Sequence, residues 1–85
     1  MAERLTIEIS AMTNHERDAL YEATKAAIQN ACPEAASMPT LGKDLRSYVI
    51  TVTVPCVTDA MAVKLSVESD LPTSRVTVTE HITIP

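Results

Sequence analysis

Apolar and polar residues alternate along three stretches of this chain, and elsewhere the apolar positions recur at helical spacing. Leu5, Ile7 and Ile9 alternate with Thr6, Glu8 and Ser10, a period of two that predicts a strand with one solvated face. Tyr48, Ile50, Val52 and Val54 alternate with Val49, Thr51 and Thr53 until Pro55 closes the run. The last stretch, Ser74 to Ile84, sets Val76, Val78, Ile82 and Ile84 against Thr77, Thr79, His81 and Thr83. Glu80 breaks it, a carboxylate in the middle of the apolar register. Such a residue belongs at an edge, at a bulge, or against something outside the domain.

A helix is predicted from about Thr13 to Ala31. Thr13 and Glu16 have the capping-box spacing, in which each side chain satisfies the other's free backbone N–H. Leu20, Ala23, Ala27 and Ala31, with Ile28 beside them, then form one apolar stripe, and Glu16, Asp18, Glu22, Lys25 and Gln29 fall mostly outside it. Pro33 ends the helix, because the residue before a proline is pushed out of the α region. Between Pro33 and the Tyr48 strand, Ser37 to Leu41 reads as a short edge strand that tolerates Pro39, and Gly42-Lys43-Asp44 as a turn.

Thr58 to Leu71 fits two periods. As a helix capped by Thr58 and Asp59, it lines one face with Ala60, Val63, Val67 and Leu71. As a strand, it alternates Met61, Val63, Leu65 and Val67 with Ala62, Lys64, Ser66 and Glu68. Asp59 at the start and the Ala-Met-Ala run favour the helix. The order is then βαββαβ, the α+β ferredoxin-like arrangement: an antiparallel sheet with two helices on one face and the other face open. With a strand there instead, the fold becomes one helix on a β-meander.

Eighty-five residues make a single small domain, one that buries only about 60% of the surface its unfolded chain exposes. With no Phe or Trp, the core is built from aliphatic residues, and self-association would add stability. Eleven acids against seven bases give a net charge of −4, with the excess mainly in the first 34 residues. That balance argues against direct nucleic-acid binding, which needs clustered Lys and Arg. The open face is expected to carry Thr6, Glu8, Val49, Thr51, Thr53, Thr77, Thr79, His81 and Thr83, with no ring on which a base could stack. Met1 to Glu8 reads as strand rather than as a signal-peptide core, and no apolar run approaches a membrane span. Cys32 and Cys56 are therefore expected as reduced thiols in the cytoplasm.

The parts for catalysis are sparse. Gly42 is the only glycine, which excludes a Gly-rich phosphate loop. His15 and His81 are the only histidines, and Glu80 and His81, adjacent on a strand, point to opposite faces. No metal, no cofactor and no enzymatic activity are expected. Cys56, between a strand end and a helix start, sits where a thiol can be activated, but no second cysteine stands at redox spacing.

The chain is expected to bind a protein, with Glu16, Asp18 and Glu22 on the acidic side of helix one as the main contact and Glu80 as a further interface carboxylate. In size and charge it resembles phage-encoded inhibitors of host machinery, including anti-CRISPR proteins. That resemblance implies that the helix-one acids imitate phosphates and occupy a partner's basic nucleic-acid-binding surface. A second reading is a homodimeric small-molecule-sensing or assembly module joined through sheet faces or edge strands. A third is a thiol enzyme using Cys56.

Overall fold

The computed structural model describes residues 1–42 and 47–85. The predicted Gly42-Lys43-Asp44 turn falls largely outside them. The elements run β1 (Ala2–Ser10), α1 (Asn14–Ala31), β2 (Ala36–Leu41), β3 (Ser47–Val54), α2 (Val57–Asp70) and β4 (Val76–Ile84). The strands form one antiparallel sheet in the order β2-β3-β1-β4. Both helices lie on one face, so the fold is the βαββαβ, ferredoxin-like α+β arrangement. Residues 57–70 are helical, and Ala60, Val63 and Val67 are buried with Leu71 just beyond, as the helical period requires.

The alternation in β1 and β3 fixes the core. Leu5, Ile7, Ile9, Ile50, Val52 and Val54 are almost wholly buried beneath the helices, while Thr6, Thr51 and Thr53 face the other way. Helix α1 turns Thr24, Ala27 and Ile28 inward. Thr24, rather than the expected Ala23, holds the central position, and Ala23 is exposed. The Thr24 hydroxyl is satisfied by donating to the Leu20 carbonyl at 2.7 Å, so a polar residue is tolerated against the sheet. Leu20 is only partly buried at the rim of the core, beside Tyr21. The helices meet where Ser66 Oγ donates to the Ala27 carbonyl at 2.9 Å.

Both helix starts differ in detail from the expectation. Thr13 caps α1 and accepts from the Glu16 N–H at 3.0 Å, but Glu16 reaches back one residue further than a capping box, accepting from the Met12 N–H at 2.7 Å. Helix α2 begins earlier than Thr58: Cys56 is its N-cap residue, with Asp59 in the first turn.

Candidate functional site

The largest departure from simple alternation is in β4. Val76 lies opposite Ile9 and Val78 opposite Ile7, but Glu80 lies opposite Thr6 and His81 opposite Leu5. Thr79 is the extra residue of a β-bulge, and its hydroxyl donates to the Thr6 carbonyl at 3.3 Å. One inserted residue reverses the facing of everything after it. Glu80, Ile82 and Ile84 therefore point to the open face. His81 and Thr83, expected on the open face, turn to the helix side.

The bulge assembles a polar cluster at one end of the core. Glu3 has the same parity as Leu5, Ile7 and Ile9 and is only 4% exposed. Its Oε1 accepts from His81 Nε2–H at 2.8 Å and from Thr83 Oγ–H at 2.9 Å. The His81 hydrogen bond, then that of Thr83, holds the Glu3 carboxyl below the usual carboxylate range, against the opposing effect of burial. Glu3 was not among the residues the pattern singled out. Its inward parity was the available signal, since a carboxylate facing a core needs a donor opposite it.

The open face is composed in rows. Arg4 lies between Thr53 and Ile82, with Ala36 beyond Thr53. The next row is Met38, Thr51, Thr6 and Glu80, and the one after it Thr40, Val49, Glu8 and Thr77. Ile82, Ile84, Val49, Thr51 and Thr53 are half-buried by their neighbours, and Met38 is 70% exposed. A strip of aliphatic and threonine side chains thus crosses an uncovered sheet, with Glu80 at its β4 margin.

The three acids of α1 lie on its outer side, each beside a base. Glu16 is 3.7 Å from Arg75 Nε, Asp18 is 2.9 Å from Arg17, and Glu22 is 3.5 Å from Lys25. Arg17 and Lys25 also stack on the Tyr48 and Tyr21 rings, at 5.2 and 5.4 Å. Glu80 is far from these acids in the fold, on the opposite face of the sheet, so the four expected contact residues do not form one site. His15 is exposed in the first turn of α1. Cys32 is buried at the end of α1, and the exposed Cys56 thiol donates to Asp59 Oδ2 at 3.3 Å. Among the described residues, no group of three His, Cys, Asp or Glu side chains converges as a metal site, and no helix is long and apolar enough to cross a membrane. No protein-family model, curated protein or solved structure matches the chain.

Proposed function

We propose that this is a non-catalytic, cytoplasmic protein-binding domain that engages its partner with the open sheet face. The observation that carries the reading is the Thr79 bulge, which turns Ile82 and Ile84 away from the core and onto that face. A regular strand would have buried them. Bulges re-aim side chains at functional surfaces, and two isoleucines on β4, with an exposed Met38 across the sheet on β2, give a partner apolar area to cover at both margins of the face. Glu80 at the margin offers a carboxylate to a partner's Arg or Lys.

The helix-one acids supply a second reading, a domain that occupies a basic nucleic-acid-binding surface in the manner of phage-encoded inhibitors. The outward exposure of Asp18 and Glu22, 62% and 67% at the side chain, favours it. Their ion pairs with Arg17 and Lys25 reduce the charge they present, so the open face ranks first.

The two surfaces are separated by paired variants. Met38→Lys with Thr51→Lys alters the β2–β3 half of the open face, and Glu16→Lys, Asp18→Lys and Glu22→Lys reverse the acidic surface. All five positions lie outside the core, so both variants should stay folded. A partner captured by a photo-crosslinker at Thr40 should be lost with the first variant and retained with the second. Retention by the first and loss by the second would transfer the interface to α1.

A further inference from the structure

We propose that the chain forms a homodimer in which two β4 edges pair antiparallel and the α2 helices pack against each other above them. Strand β4 is an edge strand, hydrogen-bonded on one side only, to β1. The opposite edge, β2, is shorter and carries Pro39, a device that blunts strand pairing. From Glu80 to Ile84, beyond the bulge, β4 has neither proline nor a lysine or arginine. Its outward backbone N–H and C=O groups form a template for another strand.

Helix α2 supplies the second half of the surface. Val57, Met61 and Leu65, spaced four apart, are 56%, 47% and 60% exposed and form one stripe. Ser66, nine residues from Val57 and so on the opposite flank of the helix, bonds to α1. The stripe therefore lies on the flank of α2 turned away from α1, on the side of the β4 edge.

The occupant is a second copy because strand and helix call for the same two-fold axis. Val54 pairs with Glu3, and Glu3 with Thr83, so α2, starting at Val57, begins level with the end of β4. Met61 is four residues on, about 6 Å along the helix, which is about two residues of strand at about 3.3 Å each. Met61 thus stands roughly level with Ile82. An axis through these two positions pairs Ile82 with its own copy, Glu80 with the second copy's Ile84, and His81 with the second copy's Thr83. The same axis sets Met61 against Met61 and Val57 against Leu65. No carboxylate meets its like. The flank of α2 is electrically balanced as well, carrying Lys64 and Glu68 one turn apart, so it adds no net charge to the contact in a chain of net charge −4. The Ile82 and Ile84 side chains of both copies become contiguous on the open face.

The test needs only the purified protein, so its outcome is separable from that of the open-face reading, and Met38 and Thr51 remain unchanged in it. Sedimentation should show a monomer–dimer equilibrium for the parent. Met61→Lys with Leu65→Lys should sediment as a monomer while melting cooperatively. In a Cys56→Ser background, Met61→Cys should oxidise to a disulfide-linked dimer. Leu65→Cys alone should not, but should cross-link when mixed with Val57→Cys. A parent that stays monomeric at its solubility limit would overturn the proposal. So would a dimer that survives the lysine pair, or crosslinking by Leu65→Cys alone in preference to the mixed pair.

Discussion

Val63→Asp should abolish cooperative unfolding, whereas Leu65→Asp, two residues along, should leave a folded domain. Residues 57–70 are helical, so Val63 faces the sheet with no exposed surface while Leu65 is 60% exposed. In a strand, the two would share a face and fail together. Burying an unpaired carboxylate costs several kcal/mol, against a total stability of about 5–15 kcal/mol for a typical domain. The fully buried core is aliphatic, the two Tyr rings pack only at its rim, and both cysteines are free, so little is left to absorb that loss. Circular dichroism melts decide the point, and equal damage from both substitutions would contradict the helix.

The second large effect is on acid stability. Glu3 is buried as a carboxylate and held by His81 and Thr83, and its carboxyl titrates lower in the folded chain than in the unfolded one. The stability this confers is present above the unfolded carboxyl's pKa and is lost as pH falls through the lower, folded value. Glu3→Gln keeps an acceptor oxygen but removes the charge, so it should flatten this acid limb of the stability curve. His81→Leu removes the stronger donor and leaves the carboxylate with Thr83 alone, which should lower the melting temperature by several degrees at neutral pH. Urea melts across the acid range read both effects. An unchanged acid limb in Glu3→Gln would show that the cluster does not govern acid unfolding.

Much of this architecture was legible as periodicity. β1 and β3 alternate cleanly because one face of each is buried and the other is not. Helix α1 carries a cap and a stop. Helix α2 was readable only with an alternative, since Met61 and Leu65 stay apolar on an exposed flank and so complete a false strand pattern. The facing of β4 was not legible, because a period of two has no mark for one inserted residue. The trace it left was a pair of misplaced carboxylates: Glu80 in an apolar series, and Glu3 with the inward parity of Leu5. Only Glu80 stood out in the pattern, Glu3 having been passed over, and the bulge accounts for both. The ion pairs of the α1 acids depend on which bases the fold brings near them. Arg75 reaches Glu16 from the turn just before β4, a contact between residues far apart in the chain.

Deleting Thr79 tests the central claim, that a bulge reverses the second half of β4. If Thr79 is the extra residue, its removal leaves Val78 and Glu80 on opposite faces, as ordinary alternation requires, and all other pairs unchanged. The deletion variant should then melt cooperatively, close to the parent and short of only the Thr79–Thr6 hydrogen bond. Nuclear Overhauser contacts should still place His81 beside Leu5. If β4 instead alternated without interruption, with Ile82 and Ile84 in the core, the same deletion would throw both isoleucines out to solvent. A deletion variant that loses its cooperative melt would contradict the account.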